Sequence, residues 1–159
     1  MTLSLTLPYP ISANRYWRTY MPKGFKAPVT TVSQEAKEYK REVQLLARAA
    51  GIRKPLLGRI RVEYTLYPHR PQDWQTRQRK HGDAWDDTVQ CIDLDNAQKV
   101  MLDALKGIAF EDDGWVREIH ARRAEPDEKG ARVEVQIASL LTYDPQAILF
   151  GAIAQERSA

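Results

Sequence analysis

The sequence predicts an α+β fold: a mixed β-sheet with two main helices packed on it, in the order β-α-β-α-β-β, followed by a C-terminal helical extension. Three observations predict it. Apolar residues alternate with period two in LSLTL, RIRVEYTLY and RVEVQIA, as in strands that bury one face. Two stretches between them carry apolar residues at helical spacing instead. At 159 residues the chain has the length of one domain. That domain is expected over residues 1–140 with a long polar insertion at 68–92, and residues 141–159 form the extension.

The first strand spans residues 3–7, with Leu3, Leu5 and Leu7 inward, and Pro8 and Pro10 end it. Residues 11–32 hold four aromatic and four basic side chains and read as a loop. Ser33 then opens a helix whose Ala36, Tyr39, Val43, Leu46, Ala47 and Ala50 share a face, with Gly51 as the residue that ends it. The second strand covers 59–67. The insertion that follows is basic in its first half and acidic in its second and shows no periodicity, which marks a functional or disordered segment. A second helix is expected over about 96–107, with Ala97, Val100, Met101, Ala104, Leu105 and Ile108 on one stripe. Strands near 115–123 and at RVEVQIA read as a hairpin. Asp144 and Pro145 open the C-terminal helix.

No apolar run reaches the ~18 residues of a membrane span. The N-terminus lacks the basic region of a secretory signal. A single cysteine, Cys91, excludes an internal disulfide and a cysteine-based zinc site. A cytoplasmic protein is the expectation. The formal charge of +3 leans weakly toward polyanionic partners.

The chemistry concentrates in CIDLDNAQKVMLDAL, Cys91 to Leu105. Asp95 and Gln98 fit a capping box, with Asp93 as a solvated charge near the helix's positive end and Lys99 paired to Asp95 and Asp103. The other reading is chemical. Carboxylates two apart on an extended segment point the same way, roughly 6.6 Å apart along it. They raise each other's proton affinity unless a cation lies between them, and hard oxygen ligands suit magnesium or manganese. A second acidic cluster, Glu111-Asp112-Asp113, follows the helix, about 18 Å from its start. Folding or a partner chain would have to bring Asp113 back. Lys99, one turn beyond Asp95, would place an ammonium beside that cation. Carboxylates, a divalent cation and a lysine suit metal-assisted phosphodiester hydrolysis.

DLDNAQKVMLDAL followed by FEDDGWV, with LTLPYPISANRYWR near the N-terminus, resembles the RusA family of Holliday-junction resolvases over about residues 3–138. The resemblance implies Asp93, Asp95 and Asp113 as metal-site carboxylates and Lys99 as the essential basic residue, with Asp112 matching the first of the downstream pair. It implies a magnesium-dependent homodimer, often carried by prophages, that resolves four-way junctions by paired symmetric nicks in DNA recombination and repair. Manganese is a possible substitute, and no small-molecule cofactor is expected. A junction has near two-fold symmetry, so two linked sites can nick opposite strands. The long 68–92 loop and the tail depart from the family pattern.

Phosphates attract point charges, and unstacked bases attract flat rings. Arg15, Tyr16, Arg18, Lys23 and Lys26 in the first loop, and Arg70, Arg77, Arg79 and Lys80 in the insertion, are therefore the candidate DNA contacts. His69, His81 and His120 lack metal-ligand spacing. Two further readings remain: a non-catalytic junction or single-strand DNA-binding protein of phage origin, and a nuclease of broader flap or branched-DNA specificity.

Overall fold

The computed structural model describes residues 1–141; the predicted C-terminal helix lies outside the described residues. The order is β1 (Thr2–Pro8), a helical turn α1 (Ala13–Tyr16), β2 (Trp17–Tyr20), β3 (Val29–Val32), α2 (Gln34–Ala49), β4 (Ile60–Tyr67), α3 (Trp74–His81), α4 (Leu94–Leu105), β5 (Val116–Arg123) and β6 (Arg132–Ser139). The α+β class is as predicted. Four strands form the main sheet in the order β1-β6-β4-β5, and β2 and β3 form a small sheet of their own.

The last two strands are not a hairpin. β6 runs antiparallel between β1 and β4, while β5 lies outside β4 and parallel to it. The side chains explain the arrangement. Val133, Val135 and Ile137 of β6 are fully or nearly fully buried, whereas Arg117 to Arg123 of β5 are all exposed. An apolar alternating strand gains most in the middle of a sheet, and a charged one suits an edge. Helix α4 is the crossover that a parallel β4–β5 pair requires.

Helices α2 and α4 pack against each other and on one face of the sheet, α2 over β1 and α4 over β5. Val43, Ala47, Val100, Met101 and Leu105 meet Leu7, Val62, Leu66, Val133 and Ile137 in the core. Each of these side chains other than Ala47 contributes about 1.5–3 kcal/mol by leaving water. Ser33 caps α2 by accepting from the Ala36 N–H at 3.2 Å, and Gly51 ends it at φ 89°, a conformation glycine adopts without strain. Leu46 and Ala50, predicted inward, are exposed at the edge of that stripe. The opposite sheet face is polar and pairs its own charges: Arg61 with Glu63 at 2.9 Å and Arg132 with Glu134 at 2.9 Å.

Two segments read as loops are ordered. Within 11–32, β2 and β3 pair from Trp17↔Val32 to Tyr20↔Val29 and form an exposed hairpin. Four-residue strands are too short to show a period. The insertion folds around Trp85, which is 1% exposed and lies 6.1 Å from the Trp74 ring. The Trp85 indole N–H donates to Glu125, and Arg123 donates to the carbonyls of Asp86 and Val89 at 2.7 and 2.8 Å. One large buried ring and a few side-chain bonds order this stretch, so no apolar rhythm announces it. No helix among the described residues is long and apolar enough to cross a membrane.

Candidate active site at the start of helix α4

The helix carrying the paired carboxylates begins earlier than predicted. Asp93, not Asp95, takes the N-cap position, with extended backbone angles of φ −63° and ψ 145°, and Asp95 lies in the first helical turn. The Asp93 side chain makes no capping bond. Both aspartates and Lys99 are exposed. Lys99 makes no ion pair among the described residues. Its expected partner Asp103 bonds instead to Lys40 of α2 at 3.1 Å. Two carboxylates and an ammonium thus stand without ion-pair partners, among the described residues, at the positive end of one helix.

Two tyrosines, Tyr64 buried and Tyr9 half-buried, hold the backbone on either side of Asp93. The Tyr64 hydroxyl, from β4, donates to the Leu94 carbonyl at 2.7 Å. The Tyr9 hydroxyl accepts from the Ile92 N–H at 2.8 Å and donates to the Cys91 sulfur at 3.6 Å. Burial, and then the charge of Asp95, pushes the Tyr64 hydroxyl up to about 12. Burial likewise lifts Tyr9 to about 12. Both therefore remain neutral donors at any ordinary working pH. The sequence marks Tyr64 only as an inward strand residue and Tyr9 not at all. The signal on offer is chemical, since a phenol drawn into a core needs a partner for its hydroxyl. Tyr64→Phe is expected to cost about 1 kcal/mol of stability. Thermal melts of the variant and the parent chain measure that loss.

A cleft of about 760 Å3 adjoins this point, and Tyr9, Arg15, His69, Arg77, Cys91 and Ile92 are among its walls. A second hollow, of about 590 Å3, lies on the far face of the sheet. It is lined by polar side chains, among them Glu63, His120, Arg122 and Glu134.

Asp113 lies at the other end of α4. Lys106, the residue after the helix, bonds to Asp112 at 2.8 Å and to Asp113 at 3.1 Å. The Lys106 ammonium, helped by the Gly114 N–H, holds the Asp112 carboxyl down at about 2. Burial lifts Asp103 above the usual carboxylate range, and nearby Asp113 adds to it while Lys106 opposes it. Twelve helical residues separate this acidic group from Asp93 by about 18 Å. Among the described residues no three His, Cys, Asp or Glu side chains come together to hold a metal ion. Within this chain Asp93, Asp95 and Lys99 therefore share the start of α4, and Asp113 does not.

The expected DNA contacts divide. Tyr16 is a correction: it is 4% exposed and packs in the core, so its ring cannot reach a base. Its neighbour Trp17 is 47% exposed and presents the open ring. Arg18, Lys23 and Lys26 are exposed on the β2–β3 hairpin with Tyr20 and Phe25. Arg15 is exposed but paired to Glu35 at 2.8 Å. Arg79 and Lys80 are exposed in the last turn of α3. Arg70 stacks over the Trp74 ring at 4.8 Å. Arg77 bonds to Asp73 at 2.9 Å and to the Thr88 carbonyl at 2.8 Å, which fastens the insertion.

A protein-family model described as Endodeoxyribonuclease RusA matches residues 8–138, which contain every residue discussed above as a candidate for the site. No curated protein matches the chain.

Proposed function

From the premise that the chain belongs to the RusA endodeoxyribonuclease family, we propose that it is a magnesium-dependent, homodimeric nuclease that resolves four-way DNA junctions by paired symmetric nicks, acting in the cytoplasm in recombination and repair. The family match makes it a nuclease acting on DNA. The observation that carries the finer reading is the start of α4, where Asp93, Asp95 and Lys99 are exposed beside an open cleft, on backbone fixed by two tyrosine hydroxyls.

Asp93, Asp95 and Asp113 are proposed as the metal-site carboxylates and Lys99 as the basic residue of the site. Carboxylate oxygens suit magnesium, with manganese as a substitute. The three carboxylates do not fit one ion within a protomer, so no chemical step is assigned to a metal there. What the chain itself supplies is clearer. The exposed cations of the β2–β3 hairpin and of α3 can hold backbone phosphates. Trp17, Tyr20 and Phe25 offer faces to unstacked bases. Lys99 brings a positive charge to the point where a scissile phosphate would meet Asp93 and Asp95.

The test is a synthetic four-way junction incubated with the full chain, with and without magnesium. Paired nicks at symmetric positions are expected with the metal, and far less cutting of a linear duplex of the same sequence. The dispersal of the carboxylates within a protomer favours one alternative, a junction-binding protein without activity. That reading predicts binding without metal and no nicks under any condition.

A further inference from the structure

Two stretches far apart in sequence wall the cleft beside the start of α4. The chain after β1 supplies Pro10, Ile11 and Ser12, and the 68–92 segment supplies Pro71, Val89 and Ile92. Three bonds hold that segment in place. Arg77 donates to the Thr88 carbonyl, Arg123 to the Val89 carbonyl and the Ile92 N–H to the Tyr9 hydroxyl, each at 2.8 Å. The walls therefore stand ready for a ligand. Their volume of about 760 Å3 lies within the roughly 300–1,000 Å3 of small-molecule sites.

The lining has two kinds of chemistry. Proline, isoleucine and valine side chains offer apolar surface, against which a flat ring gains by leaving water. Beside them stand hydrogen-bonding groups. The Ser12 side chain makes no capping bond to α1, and His69 and Gln90 are exposed. Such groups can pair the polar edge of a ring, which otherwise loses its bonds to water. Arg15 and Arg77 bring positive charge to the same cleft. Glu35 and Asp73 hold them at 2.8 and 2.9 Å, and a guanidinium carries more N–H donors than these bonds use. A flat ring with a polar edge, joined to an anion, describes a nucleotide. Ile92 lines the cleft and Asp93 follows it in the chain, so a nucleotide held there would adjoin the exposed carboxylates.

We propose that this cleft receives one unpaired nucleotide of a DNA strand, with its base against the apolar walls and its phosphate on Arg15 and Arg77. The next phosphodiester along the strand then meets Asp93 and Asp95. A base inside a duplex is stacked and paired and cannot enter. Extruding it costs free energy, least where pairing is already broken. Branched DNA thus offers such a base more readily than a linear duplex does. The 68–92 segment becomes part of substrate selection, as one wall of the site. The inference rests on the nuclease reading above for the role of Asp93 and Asp95, but the nucleotide site itself does not.

The test uses the full chain without metal, at saturating concentration, and a four-way junction carrying 2-aminopurine at one position at a time around the branch point. Stacking quenches the fluorescence of this base, and extrusion restores it. Wild type is expected to raise the signal several-fold at a position beside the branch and at none in a linear duplex of the same sequence. Ala131→Phe and Gln90→Phe fill the cleft from two of its walls. With an unchanged far-ultraviolet spectrum, each should abolish the rise, and either one suffices if the other fails to fold. Calorimetric titration with a deoxynucleoside monophosphate should find weak binding to wild type and none to the folded variants. A rise that persists in the folded variants overturns the proposal, as does a wild type that brightens no base. Tight binding of the free nucleotide with no bright base in DNA assigns the cleft to a free nucleotide and overturns it too. A chain that brightens one base through the cleft, yet never nicks with magnesium, would reject the nuclease reading and leave the nucleotide site standing. A chain that nicks and brightens none would do the reverse.

Discussion

Asp95→Asn is expected to abolish junction nicking while leaving junction binding intact or slightly stronger. Asp95 is exposed in the first turn of α4 and has no partner among the described residues, so the amide replaces it without strain. Its structural contribution is limited to the attraction between a carboxylate and a helix's positive end, about 0.3–1 kcal/mol. A change that small leaves the fold in place. Activity should fall much further. Loss of an outer-shell partner costs roughly 10–100-fold, and a residue proposed to touch the cation directly should exceed that range. Binding moves in the opposite direction because removing a negative charge that faces DNA relieves repulsion with phosphates. Single-turnover nicking and gel-shift titration on one preparation give both numbers. If Asp95→Asn cuts at the wild-type rate, Asp95 is only part of a helix start, and the carboxylate assignment fails with it.

Trp85→Ala is the second large effect, and it should be local. Truncating a fully buried tryptophan costs about 3–5 kcal/mol. Trp85 is 1% exposed yet stands apart from the main core cluster, and its neighbours are Trp74, Glu125 and its own segment. The loss therefore falls on residues 68–92 rather than on the sheet. Trypsin should cut at Arg79 and Lys80 about 100-fold faster or more, because cleavage follows the population of the opened segment. The main unfolding transition should shift little. If α3 also grips DNA through Arg79 and Lys80, junction affinity falls, and its salt dependence becomes shallower in proportion to the phosphates the variant no longer holds. A variant whose whole domain unfolds in one step, with no early cleavage in the insertion, would contradict the separate packing of Trp85.

What can be read from the chain follows from how each feature signals itself. β1, β4, β6, α2 and α4 bury one face each, and a buried face leaves a period in the sequence. Tertiary pairing leaves none: β5 and β6 are close in sequence and yet are not neighbours, because the crossover through α4 and the charge on β5 decide the order. The insertion is unreadable for another reason, since Trp85, Arg77 and Arg123 hold it through single contacts. The start of α4 is ambiguous in the sequence because Asp93 and Asp95 are both competent caps, and only the backbone angles distinguish them. DLDNAQK and the downstream Asp112-Asp113 pair are legible as chemistry. The distance between them is not, as the length of a helix separates them.

The position of β6 has a consequence for how the chain comes into being. Among the described residues, the strand between β1 and β4 is the last to be synthesised, and it pairs Thr2 with Ala138. Until roughly residue 139 has left the ribosome, β1 and β4 have nothing to bridge them. Contacts so distant in sequence close slowly. Asp93, Asp95 and Lys99 are therefore made before the strand that joins the two halves of the sheet above them.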